Sequence, residues 1–115
     1  MEYELQFRIM ANTNSDSDKL LMILKHAFED ITQDRDNSCT LRGNRIEVIH
    51  NEDFDHRMAD DPDDGYLYFP YLIGVYPIID DVNLNKQIQL AKSLSDVLNM
   101  KHVKAEIVAD FEELL

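Results

Sequence analysis

Two histidines, His50 and His56, bracket Asp53 and Asp55, with Glu52 beside them. Imidazole and carboxylate donors mixed in one short stretch suit a divalent cation. A His-x5-His spacing with acids between matches no defined metal motif, and a solvated acidic loop is the plainer reading of the same residues. Asp60 to Tyr71 can be laid over the calcium-loop pattern with Asp60, Asp64 and Gly65 in register. The third position is then Pro62 and the last is Tyr71, where a bidentate glutamate is required, so an EF-hand is excluded. Loose calcium or magnesium binding by an oxygen-rich loop stays open. A small metal-dependent enzyme or metal-binding protein using the loop between residues 50 and 64 is therefore one reading of the chain.

The single cysteine, Cys39, would need a base held against it to act as a nucleophile. His50 lies across a predicted hairpin from it, but nothing orients the imidazole. A small residue at the edge of the core is the better role for Cys39. His26 falls on a helix and His102 follows the end of another. The three glycines stand apart at 43, 65 and 74, so there is no phosphate-cradling loop. Gly-x-Ser-x-Gly, His-Glu-x-x-His and paired-cysteine zinc spacings are all missing. Carboxylates are too many for any one to stand out as a tuned acid. No catalytic residue, cofactor or defined metal site is called for, and the chain reads as a non-enzyme.

What remains is surface. The chain of 115 residues carries a formal charge of −12. Such a surface repels nucleic acid and anionic lipid and attracts basic proteins. Strong acidity also serves solubility alone. With 44% apolar residues the chain can bury a core, and its length suits one domain spanning residues 1–115. One cysteine rules out an internal disulfide. The first residues are acidic and alternating, unlike a signal peptide. No apolar run approaches a membrane span. A soluble cytoplasmic protein is the expectation.

The elements that must carry this surface follow from periodicity. Residues 2–10 alternate as a half-buried strand, with Tyr3, Leu5, Phe7 and Ile9 on one side. Ser15 followed by Asp18 predicts a helix start, and a helix from about Asp16 to Gln33 with Leu20, Leu21, Leu24, Ala27, Phe28 and Ile31 as its buried stripe. Cys39 to His50 predicts a hairpin turning at Gly43-Asn44. Tyr66 to Pro77 reads as one long strand. Leu67, Phe69, Tyr71, Ile73 and Val75 would share one face, and Tyr66, Tyr68, Leu72 and Tyr76 the other. Pro70 would sit at a bulge or an unpaired side. Asn83 caps a second helix with Leu84, Ile88, Ala91, Leu94 and Leu98 as its stripe. Val103 to Asp110 alternates as a last strand. Two amphipathic helices must cover one sheet face. The fold class is α+β, a ferredoxin-like two-layer sandwich with a mostly antiparallel sheet, two helices on one face and an extra hairpin.

The strand from Tyr66 is entered through an acidic loop. Glu52, Asp53, Asp55, Asp60, Asp61, Asp63 and Asp64 face only Arg57, so this loop carries half of the net charge. Asp53, Asp55, Asp60, Asp61, Asp63 and Asp64 would steer a basic partner into place. Tyr66, Tyr68 and Tyr76 would supply buried area, since tyrosine offers area and a hydroxyl at low entropy cost. Alternate tyrosines on a strand are also ordinary sheet residues, and they could meet their own copies in a homodimer. Asp64-Gly65-Tyr66-Leu67-Tyr68-Phe69-Pro70-Tyr71 and Ala109-Asp110-Phe111-Glu112-Glu113-Leu114-Leu115 resemble the small acidic immunity proteins that bacteria encode beside toxins. The resemblance implies a cytosolic inhibitor that binds a cognate basic toxin domain and blocks its active site. A decoy that mimics nucleic-acid charge is a third reading.

Overall fold

The computed structural model describes residues 2–115. Six strands form one antiparallel sheet: β1 (Phe7–Asn12), β2 (Thr32–Arg35), β3 (Ser38–Leu41), β4 (Asn44–His50), β5 (Tyr71–Pro77) and β6 (Lys104–Ala109). Their spatial order is β2-β3-β4-β5-β1-β6. Helix α1 (Ser17–Ala27) follows β1, and α2 (Leu84–Met100) lies between β5 and β6. The α+β class and the antiparallel sheet agree with the sequence. No helix among the described residues is long and apolar enough to cross a membrane.

Alternation sorts the sheet into two faces. Phe7, Ile9 and Ala11 of β1 stand in register with Val75, Ile73 and Tyr71 of β5. They also match Ala109, Ile107 and Ala105 of β6. On this face Ile46 and Val48 of β4 complete the row. Leu20, Leu21 and Leu24 of α1 and Leu90, Ala91, Leu94 and Leu98 of α2 join the same apolar cluster. Both helical stripes are therefore buried against one side of the sheet. Phe111 closes its end, edge to face with Phe7 at 5.7 Å.

Several boundaries differ from the sequence-based expectation. The ladder of β1 starts only at Phe7, although Tyr3 and Leu5 stay half-buried beside it. Asp16, not Ser15, caps α1, its carboxylate accepting from the Lys19 amide at 2.9 Å. That helix stops at Ala27, well short of Gln33, because Phe28 turns to extended backbone. Phe28 is buried there with the Arg42 guanidinium over its ring, and Ala27 is exposed. The freed residues after Ile31 form β2, an edge strand missing from the sequence reading. The hairpin turns at Arg42-Gly43, one residue early, with φ of 49° and 78°. Two consecutive positive φ values are the mark of a tight two-residue hairpin turn, and glycine takes the second without strain.

That shift places Asn44 inside β4, fully buried, where it meets Gln87 of α2. The two side-chain amides exchange hydrogen bonds in both directions at 3.0 Å. Gln87 also donates to the Leu5 carbonyl at 2.8 Å, and Asn44 to the Arg42 carbonyl at 3.1 Å. This pair ties helix, hairpin turn and N-terminal arm together with every polar group satisfied. Replacing Gln87 with Leu leaves the Asn44 side-chain oxygen without its donor in the core. It should cost about 2 kcal/mol in chemical denaturation, since an unpaired buried polar group loses its desolvation energy outright. Adding Asn44→Leu to that variant should recover part of the loss, and strict additivity of the two changes would refute the coupling.

Candidate functional site

The long strand expected from Tyr66 is broken. Residues Gly65–Tyr68 form a 3-10 turn and β5 begins only at Tyr71. Pro70 has no amide hydrogen and holds Phe69 extended, at φ −64° and ψ 152°, so neither helix nor ladder can run through. The chain before Pro70 folds back over the sheet face opposite the helices. Phe69 is buried there with Met10 and Ala59, and Tyr66, Tyr68, Leu72 and Val108 pack around them. Phe69 thus belongs to the face opposite its predicted one, and Leu67 is 40% exposed.

One residue staples this cap. Asn51 is buried, and its amide donates to the carbonyls of Leu67 at 3.0 Å and Phe69 at 2.8 Å. Its side-chain oxygen accepts from the Asp53 amide at 3.1 Å, and its own amide donates to the Pro70 carbonyl at 2.8 Å. The Asp55 amide adds a bond to the Tyr68 carbonyl at 3.2 Å. The acidic stretch is therefore an ordered flap held on both margins. Its sequence gives little hint of this, because an asparagine before a run of acids reads as a turn residue.

The six aspartates divide by role. Asp55 accepts from the Arg57 amide at 3.0 Å and is half-buried. Asp61 accepts from the Asp63 and Asp64 amides at 2.8 and 3.0 Å. The amides of Asp64 and then Asp63 hold its carboxyl below the ordinary carboxylate range. That contribution is present above the ordinary range and is lost as pH falls through the depressed value. These two carboxylates shape the loop. Asp53, Asp60, Asp63 and Asp64 are exposed. The ion pairs among the described residues, Arg42 with Asp30 and Lys86 with Asp81, lie outside the flap.

The tyrosines do not share one strand face. Tyr68 and Asp53 line a groove with Arg8, Leu67 and Leu72. Tyr76 lines a neighbouring hollow with Glu4, Arg8, Val108 and Asp110. Arg8 belongs to both, so a continuous surface runs from the flap across the sheet to Tyr76. Tyr66 lies elsewhere, beside Glu106, Ser95 and Glu112 near β6. Tyr76, 36% exposed, lies down across Gly74, where any Cβ would collide with its ring and hydroxyl. Gly74 stands in register between Glu47 and Arg8. Arg8 falls between Phe7 and Ile9 and so alternates onto this face, but it is not among the residues expected to make contact. Its guanidinium, in no ion pair among the described residues, comes to the centre of the surface through strand order, which no local pattern reveals.

The other chemistry-bearing residues are placed differently. His50 makes edge-to-face contacts with Tyr71 at 5.8 Å and Phe54 at 6.2 Å. Among the described residues no three of His, Cys, Asp and Glu gather in a geometry that could hold a metal ion. Cys39 is fully buried in β3, and burial first, then Asp34, pushes its thiol up to about 11. Comparisons of the chain with models of known protein families, with curated proteins and with solved structures find no match.

Two outcomes test this geometry. Asn51→Asp sets a carboxylate against two carbonyl oxygens and should cost about 2–3 kcal/mol. Amide exchange should accelerate across residues 52–68 before the rest of the chain, and uniform acceleration would show that the flap is no separate unit. Native Cys39 should react with a thiol reagent at pH 8 at least about a hundredfold more slowly than in denaturant, because only the thiolate attacks. Equal rates would contradict its burial.

Proposed function

We propose that this chain is a non-catalytic binding protein of the immunity type, which engages a basic toxin domain and blocks its active site. The observation that carries the reading is the stapled flap. It holds Asp53, Asp60, Asp63 and Asp64 exposed and, among the described residues, outside any ion pair, with Asp53 at the groove that Leu67, Tyr68 and Leu72 line together with Arg8. Fixed, unneutralised carboxylates attract a basic surface and orient it before contact. The groove and Tyr76 then supply area that water leaves on binding. In this reading Tyr66, Asp55 and Asp61 serve structure and the remaining predicted residues serve contact.

The same proposal places the protein in the bacterial cytoplasm with neither nucleic acid nor membrane as partner. It also takes the fold as ferredoxin-like with β2 and β3 as the added strands. Supporting that, β1, α1, β4, β5, α2 and β6 follow one another in the chain while their strands lie in the order β4-β5-β1-β6. A charge decoy would use the same aspartates but has no need of Leu67, Tyr68 and Leu72 lining a groove beside Asp53.

The deciding experiment captures partners from the source cell's lysate on the tagged chain, with washes at low and high salt. One stoichiometric partner that survives high salt is expected. A set of unrelated basic proteins lost in the wash would overturn the inhibitor reading in favour of charge mimicry. With that partner in hand, reversing Asp53, Asp60, Asp63 and Asp64 to Lys should slow association about 10- to 100-fold at low salt and flatten its salt dependence. Leu67→Asp and Tyr76→Ala should act on dissociation instead. An association rate unchanged by the reversal would remove the steering role.

A further inference from the structure

We propose that the free edge of β6 is a self-association site, where a second copy of this chain pairs antiparallel with it about a two-fold axis at Ile107. The proposal is independent of the inhibitor reading. It begins from the unequal treatment of the two sheet edges. Edge strands expose unpaired amides and carbonyls, and monomeric proteins blunt them with charge, bulges or brevity. The β2 edge has all three defences: four residues, every one exposed, a register irregularity between Gln33 and Arg35, and the charges of Asp34 and Arg35. The β6 edge has two more residues and no irregularity, and Glu106 is the one charge in its middle. Its six residues pair with β1 in unbroken register, and Ala105, Ile107, Val108 and Ala109 are only half-buried.

The sequence of β6 is complementary to itself in one register. Antiparallel strands related by a two-fold axis normal to the sheet match residues of the same face, so only axes through a residue are allowed. Centring on Glu106 sets like charges opposite each other. Centring on Ala105 pairs Lys104 with Glu106 of the second copy, but the overlap then runs into the turn at His102, whose φ is 62°. Centring on Ile107 uses the full strand. It sets Lys104 against Asp110, Ala105 against Ala109, Glu106 against Val108, and Ile107 against itself. Two opposite-charge pairs then close the ends of a small apolar centre. Tyr66 and the 38% exposed Leu115 flank the groove over this edge and would gain cover from the second copy. Lys104 is already drawn across the strand, with its ammonium 5.7 Å from the Phe69 ring centre.

The test is the association state of the full chain, measured by sedimentation equilibrium at physiological salt. A concentration-dependent dimer is expected, and a chain that stays monomeric to millimolar concentration overturns the proposal. Lys104→Asp and Asp110→Lys each turn both charge pairs repulsive and should weaken the dimer about tenfold. Asp110 also accepts from the Glu4 amide at 2.9 Å, so each variant is first checked for an intact fold by circular dichroism. An equal mixture of the two variants restores opposite charges in both pairs and should form a heterodimer at near wild-type strength. A dimer indifferent to both substitutions, or a mixture no tighter than its components, would show that this edge is not the interface.

Discussion

The two hydrogens that Asn51 gives to the carbonyls of Leu67 and Phe69 decide what the far side of this sheet becomes. Without them the stretch from Glu52 to Asp64 would be held only by the Asp55 amide on the Tyr68 carbonyl and by buried Ala59. Self-repulsion among its carboxylates favours expansion, and only buried contacts can oppose it. Asn51 joins the loop's start to its end, and Phe69 presses into Met10 and Ala59 beneath. A small second apolar cluster results, on the side of the sheet that no helix reaches. The helical face is closed, and the other face is half capped and half open.

This asymmetry organises the surface. The cap gives its exposed aspartates a fixed geometry, in place of the averaged charge of a mobile tail. The open half presents Arg8 and Glu47 in register on either side of Gly74, with Tyr76 lying across that glycine. Arg8 stands near the acids without pairing to them, so positive and negative groups remain available side by side. A surface of mixed sign discriminates better among partners than one of a single sign, because a wrong arrangement brings like charges together.

Much of the helical side was readable in the chain. Phe7 and Ile9, Ile46 and Val48, and Ile73 and Val75 alternate as buried strands must, and α2 carries both its Asn83 cap and its stripe. The other side was not readable, and the reasons are local. Tyr66 to Tyr68 have the composition of a strand, but Pro70 cuts the ladder and the 3-10 turn takes them onto the sheet face. Residues 28 to 33 fit a helix as well as a strand, and only the burial of Phe28 under Arg42 settles the matter. Gln87 falls on the buried stripe by spacing, three residues after Leu84 and four before Ala91, but its polar type hides this until Asn44 is known to lie opposite. The acids of the candidate site were found by composition. Their division into shaping and free carboxylates depends on backbone amides that carry no signature in residue type.

Gly74 lies in the middle of a central strand, where an unsubstituted backbone costs about 0.5–1 kcal/mol of chain entropy on folding relative to alanine. In return the sheet gains a recess one side chain deep, and Tyr76 fills it with its own ring. The tyrosine is in effect a movable tile. Flat, it shields a strip of bare peptide; rotated outward about its Cα–Cβ bond, it would uncover a slot between Glu47 and Arg8 two strand spacings across, about 4.8 Å on either side of Gly74. One rotamer change at Tyr76 would thus exchange a smooth outline for a notched one, with no change in the backbone beneath.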